Sequence, residues 1–445
     1  MLFFITLALA VVTTVITGVL TKRWLTLGLL YWVGWLVGIP AALLAGTVDQ
    51  IPMITPYGEQ ILLTTNYGAS IAFIVSALLS IRSRRVETRP RLEYSTLVWT
   101  IVAVEFTLGL GLLASRVATS GLDLLTIRTD YLADAYLTTD LPLSYRIYNY
   151  VALTALVSTI LVAARDRSLG RISWNSFTLL FMASAPGGLS TGGRIWILQV
   201  ISAYFISYIL APGPALNIAQ GFKRAVQTLA VLVGLGVLFT AFGTVRDTAN
   251  GQGLTHPPSW MPTYVAQQIE AFGPLIGYLG VPTAAAGAYA SYNTEAYGGY
   301  HMDGQQTFPF IYSQLYRFRI GDAKANLAYT TDSRKWVAES VDPRIGSTHA
   351  TLAPLLVADF GQENLLFSSF AVFLVLQLAF LWAAAYGGMW HVFATILALY
   401  GGLLTFQDAS FGTASAFIPL IAILVLAVPL RKNILYGNKL IIGRR

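Results

Sequence analysis

Residues 1–23 read MLFFITLALAVVTTVITGVLTKR, twenty-one residues without a charged side chain closed by Lys22-Arg23. About 20 mostly apolar residues at 1.5 Å rise cover the roughly 30 Å of a bilayer's hydrocarbon core, so residues 2–20 read as a membrane span. It has no basic segment ahead of the apolar run, and its basic pair follows the run. It is therefore expected to be a retained first span, not a secretory leader. Ten further segments share the pattern: 25–46, 63–80, 94–115, 147–164, 172–189, 194–211, 225–243, 364–386, 390–407 and 413–430. Charged residues make up 11 % of the 445 and hydrophobic residues 55 %, with mean hydropathy +0.62. A soluble domain carries about 25 % charge. The composition thus excludes an ordinary soluble enzyme, a disordered chain and a disulfide scaffold, and there is no cysteine. The expected fold is an all-α polytopic membrane protein of about 11 transmembrane helices.

Lys and Arg sort by alternate loops. Of the 28, 17 fall in one set: Lys22-Arg23, the Arg82–Arg91 cluster, Arg165/Arg167/Arg171, Lys223-Arg224 and the tail. The positive-inside rule makes that set cytoplasmic, which predicts the N-terminus outside and the C-terminus inside. The net charge of +7 then reflects topology and anionic headgroups, with no nucleic-acid partner implied. The expected organisation is transmembrane helices 1–8 over residues 1–243, with an extracytoplasmic loop at 116–146. A large, partly helical extracytoplasmic loop follows over 244–350. Residues 351–445 hold helices 9–11 and a basic cytoplasmic tail. Within the large loop, 264–278 is amphipathic, and PFIYSQLYRFR (309–319) mixes aromatic and basic residues at near-helical spacing.

Charges that topology does not explain are the candidates for chemistry. Arg194 follows Ser190-Thr191-Gly192-Gly193. Glycines let backbone N–H groups approach an anion, and a guanidinium fork fits phosphate oxygens; the alternative is a snorkelling anchor at a span end. Arg317 and Arg319, beside Tyr316 and Phe318, suit a glycosylated phosphate or equally a helix lying on headgroups. Arg116, Arg128 and Arg146 in the shorter loop are further candidates for ligand contact. Asp359, in Ala358-Asp359-Phe360-Gly361, can orient an arginine, accept a proton or cap the next helix. His349 is a candidate base near it, or else a solvated loop histidine. Glu105 sits near the centre of the fourth span, where a carboxylate is either functional or paired within the bundle. His256, His301, His349 and His391 have no metal-ligand spacing, and no Walker, Rossmann, zincin or nucleophile-elbow motif occurs. No metal and no cofactor is expected.

TGGRIWIL around Arg194, FPFIYSQLYRFR in the large loop and TLAPLLVADFG leading into the next span occur in that order on one side. In this the chain resembles the O-antigen polymerase family, the Wzy-type oligosaccharide repeat-unit polymerases. The likeness covers most of the architecture but only about thirty positions. It implies a GT-C-like, metal-independent, inverting glycosyltransferase of the plasma (inner) membrane with its active site on the extracytoplasmic side. The implied partners are a polyprenyl-diphosphate-linked oligosaccharide donor and acceptor, together with a chain-length regulator and a flippase. Carried over by motif, Arg194 binds the donor diphosphate, Arg317 is the basic position of the loop motif with Arg319 beside it, and Asp359 is the DFG-like aspartate. No general base is carried over.

Independently of the name, displacing a lipid diphosphate builds negative charge on the leaving oxygen, and preorganised cations in a water-poor cleft stabilise it. Two rivals remain. A ligase-like transferase requires a loop histidine, so His301 and His349 discriminate. A flippase or other transporter requires repeat symmetry and charges lining a midplane cavity.

Overall fold

The computed structural model describes residues 1–44, 47–48, 51–52, 54–80, 96–121, 126–127, 142–190, 195–211, 261–299, 301–317, 332–333, 335–337, 339–340, 351–386, 389–406 and 410–423. Apart from a two-residue antiparallel ladder, β1 (Thr47–Val48) with β2 (Ile51–Pro52), the regular structure described is helical. Six helices among the described residues are long and apolar enough to cross a membrane. These are α1 (Leu2–Thr21), α2 (Leu27–Leu44), α3 (Pro56–Ser80), α4 (Thr96–Ser120), α5 (Leu143–Ser168), and the helix that opens at Leu365. The expected segments at 194–211, 390–407 and 413–430 correspond to shorter apolar helices. The segment at 172–189 is a 17-residue helix interrupted by Pro186, and 225–243 lies outside the described residues. The fold is that of a helical membrane protein.

The chain divides into two compact units. The first comprises residues 1–82, 230–380 and 400–414; the second comprises 83–229, 381–399 and 415–445.

In the first unit, α1 buries small residues and exposes large ones. Thr6, Ala10, Thr13 and Thr17 recur at helical spacing on its buried face, whereas Phe4, Val11, Val15 and Val19 are exposed. Lipid is as apolar as leucine, so close packing of small side chains, not hydrophobicity, selects the buried face. The threonine hydroxyls are satisfied within the helix: Thr13 Oγ1 donates to the Leu9 carbonyl (2.6 Å) and Thr17 Oγ1 to that of Thr13 (2.7 Å). From α2, Tyr31 donates to Asn66 Oδ1 of α3 (2.5 Å), and its ring packs edge-on against Phe73 and Phe373. Buried polar groups in lipid must find protein partners; this bond ties α2 to α3.

The large loop does not stay clear of these helices. Within it, α8 (Thr263–Ala271) leads into α9 (Gly273–Ala284), which packs along α2, and then into α10 (Ala286–Ser291), which packs on α3. Ala284, Ala285, Ala286 and Ala290 are almost wholly buried. The run GVPTAAAGAYAS is apolar and small enough to lie against a helix surface. A π-helical turn (Tyr292–Ala296) ends this stretch. The unit continues through α11 (Pro309–Arg317), α12 (Leu352–Phe360) and α13 (Leu365–Tyr386) as far as residue 380.

The second unit is built from α4, α5, α6 (Trp174–Ser190), α7 (Ile195–Leu210) and α14 (Met389–Ile396). Gly187 lets the ring of Tyr148 lie directly on α6, because a Cβ there would fall 1.6 Å from Tyr148 Oη. Ser207 Oγ donates to the Ile160 carbonyl (2.7 Å) and lies 2.9 Å from His391 Nε2. The serine proton is committed to the carbonyl, so the imidazole is the donor to Ser207.

Candidate functional site

A cluster of polar residues in the first unit gathers around Asp359, the penultimate residue of α12. Its side chain is fully buried. Oδ1 accepts from Gln306 N (2.9 Å), and Oδ2 accepts from Thr307 N (2.6 Å) and Thr307 Oγ1 (2.5 Å). Two backbone bonds reinforce the junction, Met302 N to the Ala358 carbonyl (3.0 Å) and Asp303 N to the Asp359 carbonyl (3.2 Å). The turn His301–Thr307 is thereby fastened to a helix more than fifty residues later in the chain. Burial pushes the Asp359 carboxyl up to about 6, with the bonds from Thr307, Gln306 and Gly304 pulling in the opposite direction. Tyr312 Oη donates to the Asp303 carbonyl, and burial together with the charges of Asp359 and Asp303 pushes its phenol up.

This knot fixes the start of α11. Thr307 is held by Asp359, Phe308 packs edge-on against Phe411 (5.8 Å between ring centres), and the helix opens at Pro309. Proline suits a first helical position because its missing N–H needs no partner there. A further aromatic contact, Tyr292 on Trp336 at 5.7 Å, lies beside the buried Met302 and Ala358.

Past Asp359 the chain turns at Gly361, whose φ of +81° favours glycine. A Cβ at Gly361 would meet Glu363 Oε1 at 2.3 Å and His301 Nε2 at 2.7 Å. Glycine therefore lets these two side chains come together, 3.6 Å apart, with both exposed. Tyr57 Oη, at the start of α3, donates to Gln362 Oε1 (3.0 Å). Between α3 and this turn lies an open cleft of about 470 Å³, lined by Gln60, Ile61, Thr64, Gln362, Glu363 and Leu365.

The residues expected from sequence fall into three groups. Asp359 is placed by the structure as an acceptor for backbone and hydroxyl donors of Gln306 and Thr307. It does not cap α13, which opens at Leu365, and pairs with no arginine among the described residues. In the second unit, Arg116 Nε donates to Tyr145 Oη (2.6 Å), which donates to the Ser190 carbonyl (3.2 Å) at the end of α6, immediately before the Thr191–Arg194 stretch. Arg146 is exposed on α5. Glu105 is 4 % exposed within α4, with no hydrogen bond or ion pair among the described residues. Backbone positions 316 and 317 form the end of α11, and the side chains of Tyr316 and Arg317 lie outside what is described, as do Arg128, Arg194, Arg319 and His349 altogether. No group of three or more His, Asp or Glu residues that could hold a metal ion occurs among the described residues.

Sequence reasoning missed Thr307, Gln306, Gln362, Glu363 and Tyr57 as members of one site. The signal available was the turn dipeptide Asp303-Gly304 together with the glycine at Gly361; nothing local says that one turn binds the other.

The fold and site define a helical membrane protein with a buried carboxylate organising a polar turn in its first unit. No family model, curated protein or solved structure matches the chain.

Proposed function

We propose that the protein is a membrane glycosyltransferase that polymerises polyprenyl-diphosphate-linked oligosaccharide repeat units into a cell-surface polysaccharide. The observation that carries this reading is the Asp359 knot. It takes the two loop motifs that resemble the polymerases, the FPFIYSQLYR helix and the ADFG turn, and makes them one structural unit. A helix whose start is tied down by Asp359 and whose sequence carries Arg317 supports a cation at this site, the charge that stabilising a leaving diphosphate requires. In this reading Arg194 and Arg317 supply positive charge to the diphosphate, and Arg319, Arg116, Arg128 and Arg146 are secondary contacts. Asp359 acts as a positioning residue through Thr307. The site faces the extracytoplasmic side in a GT-C-like arrangement of about 11 spans, and a chain-length regulator and flippase act beside it.

The test is reconstitution of the whole chain with lipid-diphosphate-linked repeat units from its own host, with products resolved by size. A ladder that survives EDTA, disappears with Arg194→Ala and is strongly reduced with Asp359→Asn is expected. Translocation of the substrate across the vesicle membrane with no ladder would replace this reading with a transporter.

One observation favours the ligase-like alternative: His301, a loop histidine, sits beside the Glu363 carboxylate, an arrangement that can orient an imidazole. Transfer of the glycan to a lipid-linked acceptor other than a repeat unit, abolished by His301→Ala, would establish it.

A further inference from the structure

The cleft between α3 and the Gly361 turn has a lining whose chemistry differs from that of a diphosphate site. No Lys or Arg is among its described lining residues, and one lining residue, Glu363, is a carboxylate that would repel an anion. Its polar groups are instead two carboxamides, a hydroxyl and that carboxylate. Neighbouring contacts fix what three of them offer. Gln362 Oε1 is occupied by the Tyr57 hydroxyl, which leaves the Gln362 amide N–H groups to donate. The Thr64 hydroxyl proton is committed to the Gln60 carbonyl (2.8 Å), which leaves the Thr64 oxygen to accept. Glu363 accepts, and His301 stands at one of its oxygens. Beside them Ile61 and Leu365, each 1 % exposed, supply apolar side chains.

Donors and acceptors together on one lining, with the apolar side chains of Ile61 and Leu365 beside them, match a pyranose ring, whose neighbouring hydroxyls each donate and accept and whose C–H face is apolar. The volume of about 470 Å³ falls within the usual range of small-ligand sites, roughly 300–1,000 Å³.

We infer that this cleft binds a neutral, hydroxyl-rich sugar, the terminal residue of the glycan acceptor, and not the lipid diphosphate. The assignment to the acceptor rests on the glycan-transfer reading above; the neutral-sugar class rests on the lining alone. It also gives the Gly361 turn a purpose, since that turn brings Gln362 and Glu363 to face α3.

The experiment measures binding to the purified full chain in detergent. One probe is the phosphate-free repeat-unit oligosaccharide released by hydrolysis from the host's own surface polysaccharide, and the other is sugar-free polyprenyl diphosphate. Wild type is compared with Gln362→Ala and with the isosteric Thr64→Val, each checked for an unchanged melting temperature. Gln362 is exposed and Thr64 is half-buried, so both variants are expected to fold. Saturable oligosaccharide binding weakened at least tenfold by each substitution, with diphosphate binding unaltered, is the expected result. Absence of saturable binding, or binding unchanged in both variants, overturns the inference. So does a loss of diphosphate affinity in the same variants, which would make the cleft an anion site. The polymerisation assay separates the two readings. Sugar binding through the cleft without a ladder from wild type removes the polymerase and leaves the sugar site. A normal ladder with cleft-independent sugar binding removes the sugar site and leaves the polymerase.

Discussion

Asp359 and Asp166 are the two buried aspartates among the described residues, one in each unit, and they use the same chemistry over very different reaches. Asp166, near the end of α5, accepts from Ser173 N (2.9 Å) and Tyr204 Oη (2.5 Å). The first bond closes a turn seven residues long, and the second joins α5 to α7 inside one bundle. Both bonds fall on Oδ2, so half of the carboxylate does the binding. Asp359 uses both oxygens and draws in a segment 52 and 53 residues earlier in the chain. The first aspartate finishes a hairpin that α5 and α6 already define. The second assembles a turn that has no regular structure to hold it and whose loop-closure entropy must be repaid by a few strong bonds. Burial alone therefore does not rank these residues; the separation they bridge and the number of oxygens they engage do.

Asp359→Asn is the sharpest way to break that contrast. An amide keeps one acceptor oxygen and turns an NH₂ group toward donors, so at least one buried N–H or hydroxyl loses its partner. A stability loss of about 3 kcal/mol is expected, read as a lower melting temperature in detergent. Faster hydrogen exchange over 301–308 should accompany it, with the second unit unaffected. Protection that stays intact over 301–308 would show that the knot is held by something other than the carboxylate.

Titration acts on the same knot more gently. The folded carboxyl lies at about 6, above its ordinary value near 3.8, so the folded chain holds this proton more tightly than the unfolded chain does. The resulting stabilisation is complete below about pH 4 and is lost as pH rises through about 6, amounting to roughly 2–3 kcal/mol over that window. The melting temperature of the first unit should fall across it, and Asp359→Asn should flatten the slope. A slope that survives the substitution would assign it to another group.

In the second unit, Tyr145→Phe removes the acceptor of Arg116 and the donor to the Ser190 carbonyl. A loss of about 1.5 kcal/mol is expected, together with increased exchange at the end of α6. An unchanged melting temperature would mean that the Arg116–Tyr145–Ser190 chain contributes nothing to holding the approach to Arg194. Asp166→Asn is the mildest case. Because both bonds fall on one oxygen, the amide can keep them by presenting its own oxygen there, and the loss should stay below about 1 kcal/mol. A cost equal to that of Asp359→Asn would erase the distinction between the two aspartates.

The elements that the sequence disclosed are those whose signal is local. Residues 2–20 appear as α1 because an uncharged apolar run of that length has no better solvent than lipid. The helix at Pro309–Arg317 follows its periodicity and its N-terminal proline. Asp359 stood out because a carboxylate between apolar residues needs partners. What could not be read is which partners. DGQQT at 303–307 looks like any polar turn, and QEN at 362–364 like any helix approach. The packing of 273–291 onto α2 and α3 was hidden for a related reason: small apolar residues in a long loop do not reveal whether they lie on lipid, on protein or in water.

By itself the sequence determined that the chain enters a membrane, where its main spans lie and which charged residues need explaining, because hydropathy and charge are sums over neighbours in the chain. The tertiary structure alone decided that Asp359 binds Gln306 and Thr307, that Gly361 brings Glu363 to His301, and that Gln362 faces α3. Those contacts join residues 52 to 305 positions apart. Hydrogen bonds reach about 3 Å, so no local pattern encodes a pairing that only the folded path of the chain brings within that distance.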